Sequence, residues 1–476
     1  MYTIVSMRAL LASSIGVACA AALAFPLALP AGATATPVAF TEPAGSTRAS
    51  GTESRDTDRV ERRASLPGVT QSLPLEPLNA DQARALVDLP GAAGVQGLTE
   101  REVKPFSLVG VVWESADAEL RGQVQVRTRS TETKKWSAWQ EIESHSDDVP
   151  DPGSSEPGAV PAHGSTAPLW VGASDGVEVQ VLPEETSERS SATGSALPDG
   201  MRLELVDPGA EPAPETTASD QHLSERAAES SAANAPLAAP GAKEIPAETA
   251  ATADTAATAG TAPSSATGTV RGATAKHIGP RPGIVTRAGW GADESLRERE
   301  FRYTSTVKAA FVHHSASGNG YSCSEAPAVI RSIYRYHVKS SGWRDIGYNF
   351  LVDKCGKIYE GRAGGVARAV MGAHTLGFNS DTMGIAVLGT FTSAAPAKAA
   401  LDGVAKLTAW KLGLFGRNPG GTTTLTSGGG KYAAGTKVKM KVVSGHRDGF
   451  ATSCPGAKLY AKLGTIRSTA SRLQGR

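Results

Sequence analysis

Apolar and polar residues alternate with a period of two through the stretch from Val103 to about Asp207. Val124, Val126 and Thr128 interleave with Gln123, Gln125, Arg127 and Arg129; Val177, Val179 and Val181 with Glu178 and Gln180; Met201, Leu203 and Leu205 with Arg202 and Glu204. Successive side chains of a strand point to opposite faces, so the pattern predicts half-buried antiparallel strands. Phe106 to Trp113 and Leu169 to Val171 extend the set, and Gly, Pro and Asp turns between the runs complete a small all-β module, a sandwich or sheet, over residues 103–208. Trp136, Trp139 and Trp170 are assigned to core or edge packing, with carbohydrate stacking as the rival use of aromatics on strands.

The flanks of this module lack such periodicity. Residues 36–102 are polar and mixed, carry one short helical pattern at Asn79 to Val87, and receive no fold. Residues 209–278 are dominated by Ala, Thr, Ser, Pro and Glu, bury too little surface to offset the entropy of ordering, and are expected as a disordered tether. Over residues 279–476 the pattern becomes mixed. Ala326, Val329, Ile330, Ile333, Tyr334 and His337 fall at helical spacing within Ser324 to Lys339, where Ser324 can cap and Pro327 is tolerated in the first turn. A second helix fits Pro396 to Leu412, and strand-like runs occur at Ala309 to His314, Tyr348 to Asp353, Gly384 to Thr390 and Lys437 to Val443. A mixed β-sheet flanked by helices, an α/β domain, is the architecture that follows.

Composition narrows the class of partner. The 48 Lys and Arg residues balance 47 Asp and Glu over 476 residues, which argues against a nucleic-acid footprint. Arg8, an apolar run from Ala9 to about Leu29, and the small residues Ala31 to Ala35 read as a secretory signal (residues 1–35) cleaved near Ala35. An uncleaved anchor is the alternative, against which Pro26 and Pro30 count. The mature chain is therefore expected outside the cell, without stable membrane insertion, as a monomer.

The candidate chemistry lies near the C-terminus. His446 and Cys454 are separated by seven residues, and about 130 residues upstream the run Ala309 to His314 ends in two histidines. Two ligands on one loop and one from a distant strand would make an open zinc site of the catalytic type. On a strand only one of His313 and His314 can face a given side, and the pattern does not choose between them.

The surroundings are more specific. Residues 284–466 resemble the peptidoglycan recognition protein and type 2 N-acetylmuramoyl-L-alanine amidase family through Ile284 to Ala292, Val312 to Ala316, Gly342 to Phe350, Tyr359 to Arg362, Gly372 to Thr375 and His446 to Gly456, all in the family's order. The resemblance implies an α/β domain over 279–476 and a Zn2+ ion held by His313, His446 and Cys454, leaving His314 to support or pack. It implies Tyr348 as the catalytic tyrosine, Thr452 as a hydrogen-bond partner of the scissile carbonyl, and His374, Asn379 and Arg362 in a groove for the muramyl peptide of peptidoglycan. The activity implied is cleavage of the amide between N-acetylmuramic acid and L-alanine by a secreted, wall-associated enzyme. Non-catalytic wall-binding members are the alternative, and they typically lack the zinc cysteine. One departure bears on stem-peptide preference: Ala363-Gly364-Gly365 stands where diaminopimelate-specific relatives carry a Gly-Trp pair.

Export makes the cysteine count informative. Without Cys19 the chain keeps Cys323, Cys355 and Cys454, and an odd number needs explaining. A disulfide between Cys323 and Cys355 plus one metal thiolate, Cys454 beside its histidine motif, accounts for all three.

Overall fold

A computed structural model describes residues 67–79, 94–144, 150–151, 162–184, 197–210, 223–248 and 277–476. The expected signal, nearly all of the Asn79 to Val87 helix, and residues 211–222 and 249–276 of the expected tether lie outside this set.

The N-terminal module is an antiparallel sheet of β1 (Val69–Pro74), β2 (Glu76–Pro77), β3 (Gln96–Trp113), β4 (Gly122–Ser130), β5 (Gln140–Ile142), β6 (Gly164–Ser165), β7 (Leu169–Pro183) and β8 (Arg202–Asp207). Its order is β1-β8-β3-β7-β4-β5, with β2 and β6 also on β3. Shifts of register along the β3–β7 pair, at Leu98/Arg101, Glu102/Phe106 and Phe106/Leu108, bend the long strand so that both halves close on one core. That core takes Val109, Val111, Val124, Val126, Val177, Val179, Val181, Leu203 and Leu205, the alternation read from the sequence. The module also begins earlier than residue 103: β1, β2 and the first part of β3 lie within the stretch that received no fold. Alternation there is weak because β1 is an edge strand with no fully buried residue.

The C-terminal domain is built on a mixed sheet, in the order β17-β11-β14-β12-β13-β10-β9. Its strands are β9 (Glu244–Ile245), β10 (Ile284–Val285), β11 (Ala309–His314), β12 (Phe350–Val352), β13 (Ile358–Glu360), β14 (Thr382–Val387) and β17 (Val443–Gly445); β15 (Thr422–Thr426) and β16 (Lys437–Lys441) form a separate hairpin. The run expected at Lys437 to Val443 is thus divided between two sheets. Strand β11 lies between parallel neighbours and all six of its residues are buried, as expected of a central strand covered on both faces.

The helices are α1 (Glu225–Ala232), α2 (Arg287–Trp290), α3 (Ala326–Arg335), α4 (Lys398–Leu414), α5 (His446–Gly449), α6 (Ala457–Tyr460) and α7 (Leu463–Leu473), with a π-helical turn at Tyr336–Ser340 continuing α3. Leu407 and Leu412 of α4 and Ile466 of α7 pack with Val312 and Ile385 on one face of the sheet. On the other, Ile330 and Ile333 of α3 pack with Leu351 and Ala386. The disulfide joins Cys323 to Cys355, linking the approach to α3 with the β12–β13 turn. No helix among the described residues is long and apolar enough to cross a membrane.

Part of the expected tether is ordered. Helix α1 starts from a Ser224 cap, Asn234 Nδ2 lies 2.9 Å from each Glu360 carboxylate oxygen, and β9 pairs with β10. Residues 223–248 therefore belong to the C-terminal domain. Hydrogen bonds of its polar side chains join the burial of Ile245 in holding the segment, and few apolar residues are needed, so its composition resembles that of a tether.

Candidate metal centre

Parallel strand register creates the site. Val312 pairs with Gly445 across β11 and β17, so the next residues, His313 and His446, emerge together at the carboxyl ends of two adjacent strands, where open α/β sheets place their ligand crevices. Their ring centroids are 4.5 Å apart. The loop after α5 then folds back. Asp448 accepts from the Gly445 amide at 2.9 Å and from the Tyr460 hydroxyl at 2.7 Å, and the Arg447 amide donates to the Cys454 carbonyl at 3.1 Å. This brings Cys454 Sγ to 3.8 Å from His313 Nδ1.

His313, His446 and Cys454 are buried, and each offers a ligand atom within 4.8 Å of the others'. Tetrahedral zinc with nitrogen and sulfur ligands sets those atoms roughly 3.3–3.7 Å apart. The donor set and spacing therefore fit zinc. Burial, with a smaller contribution from His314, depresses the His313 pKa to about 3, leaving a neutral imidazole with a lone pair to share.

A chain of hydrogen bonds decides where that lone pair points. Thr382 donates its hydroxyl hydrogen to the Phe378 carbonyl at 2.5 Å, so toward His374 Nε2, 3.3 Å away, its oxygen is an acceptor. His374 then carries its proton on Nε2, and its Nδ1 lies 3.0 Å from Thr375 Oγ1 and 3.3 Å from His313 Nε2. His313 thus turns Nε2 toward His374 and Nδ1 toward Cys454. His374, expected at the substrate groove, is fully buried between Phe311 and Gly384 and lies behind His313.

The other anticipated residues divide. Tyr348 is buried 5.5 Å from the His313 ring and, with Thr452, His446 and Cys454, lines one cavity. Thr452 Oγ1 accepts from the Cys454 amide at 3.1 Å. Asn379 shapes the loop through Oδ1, which accepts from the amides of His374 and Thr375 at 2.6 and 3.0 Å, while its Nδ2 donates to Asp151 at 2.8 Å. Arg362 turns inward, donating to the carbonyls of Ile346, Met371 and Asp345 at 2.9, 3.4 and 3.4 Å; these bonds clamp the Tyr348 loop instead of presenting a cation to the groove. The same loop is anchored by Asp345, which pairs with buried Arg287 at 3.0 Å and accepts from the Ala363 amide at 3.0 Å.

His314 points the other way, as alternation requires. Its Nδ1 accepts from the Phe391 amide at 3.3 Å, which places the proton on Nε2, 3.1 Å from the Glu143 carboxylate of the β module. Glu143 and His337 both line the cavity beside Tyr348. Neither had been anticipated there: Glu143 lies far away in sequence, and His337 reads as a helix-packing residue.

Comparisons with known proteins bear on both halves of the chain. Residues 58–218 match the Rv3811 N-terminal galactose-binding domain-like family, and residues 303–457 match the N-acetylmuramoyl-L-alanine amidase family. Peptidoglycan-recognition protein SC2 of Drosophila simulans is 32% identical over 185 residues, covering 38% of this chain and 85% of that protein. The N-acetylmuramoyl-L-alanine amidase of Homo sapiens is 34% identical over 186 residues, covering 39% of this chain but only 28% of the human protein. Among solved structures, the Drosophila peptidoglycan recognition protein SD is 27% identical, with 37% of this chain and 90% of that one aligned at a TM-score of 0.29.

Proposed function

Because the chain belongs to the peptidoglycan recognition protein and type 2 amidase family, we propose that it is a secreted zinc-dependent N-acetylmuramoyl-L-alanine amidase acting on the amide between N-acetylmuramic acid and L-alanine in peptidoglycan. The observation that carries this reading is the convergence of His313, His446 and Cys454 beside Tyr348 in one cavity. Three protein ligands leave a fourth position open, as catalytic zinc requires. His313, His446 and Cys454 would hold zinc, which when bound would supply Lewis acidity toward a carbonyl and lower the pKa of water toward neutrality.

The chain's own residues supply the rest. His374 backs the His313 ring and holds it with Nδ1 toward Cys454. Tyr348 presents a phenol to the cavity, where it can donate to the negative charge that develops on the carbonyl oxygen. Thr452 fixes the turn before Cys454 and offers a hydroxyl to the same space. Asp345, Arg287 and Arg362 hold the Tyr348 loop in place.

Purified full-length protein loaded with zinc tests the proposal. Digestion of purified wall should release free L-alanine amino termini, identified by mass spectrometry, and chelation should stop it. Stoichiometric zinc and wall binding without such termini would identify a recognition protein instead.

A further inference from the structure

The β module does more than precede the metal centre. Leu108, Val112 and Val206 point away from the module's own core and join Ile330, Ile333, Tyr336 and Tyr348 in one apolar cluster. Tyr336 inserts over Gly110, where a Cβ would meet the tyrosine oxygen at 2.4 Å, and its hydroxyl is shared between the carbonyls of Thr166 and Val111 at 3.1 and 3.2 Å. Ser340 donates to Glu204 at 3.0 Å, and the hydroxyls of Ser165 and Ser341 are 3.1 Å apart, both fully buried. This is the packing and polar satisfaction of a specific interface.

The interface lies over the candidate site. Segment Ser165 to Pro168 and Glu143 form one wall of the cavity whose other wall is Tyr348, His446, Thr452 and Cys454, and the space left is about 40 Å³. That holds a few waters, whereas pockets for organic ligands run to about 300–1,000 Å³. Farther along, Asp151 accepts hydrogen bonds from the Gly377 amide at 2.7 Å and Asn379 Nδ2 at 2.8 Å, on the loop that the family resemblance assigns to the substrate groove.

We propose that the β module is an intramolecular cap: in the docked arrangement Glu143 and Ser165 to Pro168 close the mouth of the metal-centre cavity, Asp151 occupies the donors of the groove, and the muramyl peptide enters only when the module is displaced. This rests on the amidase reading for its substrate but not for its geometry. An open fraction of about 1% lowers apparent activity roughly 100-fold, so the cap needs only a few kcal/mol of docking energy to act.

A reversible staple tests it in the full chain. With Ser165→Cys and Ser341→Cys combined, oxidation should bridge the module to the domain quantitatively, lower wall hydrolysis by roughly 100-fold or more relative to the reduced form, and block binding of a soluble muramyl tripeptide. Wild type carried through the same treatment controls for the native disulfide and for Cys454. As a second variant, Gly110→Ala should loosen the interface, seen as faster amide exchange at residues 108–112, and raise the hydrolysis rate. Equal, measurable hydrolysis by stapled and reduced protein, equal tripeptide binding by the two forms, failure of the staple to form, or an opened and active Gly110→Ala chain with unchanged rate would each overturn the cap. If neither form hydrolyses wall but only the reduced form binds the tripeptide, the cap stands and the amidase reading falls.

Discussion

His313 Nε2 lies 3.3 Å from His374 Nδ1, and this pairing selects which nitrogen of His313 faces Cys454. A histidine ligand is oriented by whatever its second nitrogen bonds to. His374→Phe keeps the ring volume and removes the acceptor, so zinc affinity should drop by about 10- to 100-fold. Competition with a chromogenic chelator measures this directly. Thr382→Val should weaken affinity less, because it leaves His374 in place and removes only one of its partners; unchanged affinity in His374→Phe would mean that packing, not hydrogen bonding, holds the ring.

Removing a ligand separates the two faces of β11. Cys454→Ser and His313→Ala should each abolish stoichiometric zinc and wall hydrolysis while the fold persists. His314→Ala should retain zinc, since its partners are the Phe391 amide and Glu143. Metal analysis of the three purified variants decides, and loss of zinc in His314→Ala alone would reverse the assignment.

Strand β11 was legible to the residue because its run of apolar side chains ends in a distinctive histidine pair. Cys454 and His446 were legible from spacing, and their meeting with His313 from family resemblance, whereas the physical cause is the Val312–Gly445 register, which no single segment encodes. Helix α1 was missed because bonds such as Ser230 to Glu294, 64 residues apart, hold it and leave no local period. The docked module left one overlooked signal. Leu108 to Val112 is apolar at consecutive positions around Gly110, the mark of a strand covered on both faces, and its second covering is the C-terminal domain.

Burial predicts an unusual pH dependence of stability around β13 and α4. Desolvation raises the Glu360 pKa from 4.5 to about 7 and lowers that of Lys411 from 10.5 to about 7, the latter despite the neighbouring Glu360 charge. Between pH 4.5 and 7 the folded state holds the Glu360 proton that the unfolded chain has released, so this contribution to stability falls as pH rises. Between pH 7 and 10.5 the unfolded chain binds the Lys411 proton that the folded state has lost, so stability rises, with a limiting slope of about 1.4 kcal/mol per pH unit. In denaturant titrations Lys411→Met should flatten the alkaline limb, whatever its effect on stability at pH 7. An alkaline slope identical to wild type would show that Lys411 stays charged in the folded protein.

The disulfide closes a sequence separation of 32 residues between Cys323 and Cys355. In the chain-entropy treatment a loop of that length is worth about 3–4 kcal/mol. The double substitution Cys323→Ser/Cys355→Ser should therefore lower thermal stability, with zinc content retained because Cys454 is the third thiol. Thiol labelling of denatured, metal-stripped mature protein without reductant should find one reactive cysteine; three would show the bridge unformed.

Tyr348 separates catalysis from recognition. Its ring stands 5.5 Å from that of His313 and lines the cavity with Cys454, yet it belongs to none of the three ligand positions. If its phenol donates mainly to charge that appears in the transition state, Tyr348→Phe should lower kcat by about 10²- to 10³-fold. Wall affinity and zinc content should stay near wild type, because a donor engaged only in the transition state contributes little to ground-state binding. Measured as release of L-alanine amino termini, activity equal to wild type would remove Tyr348 from the chemistry; a matching loss of wall affinity would make it a binding residue.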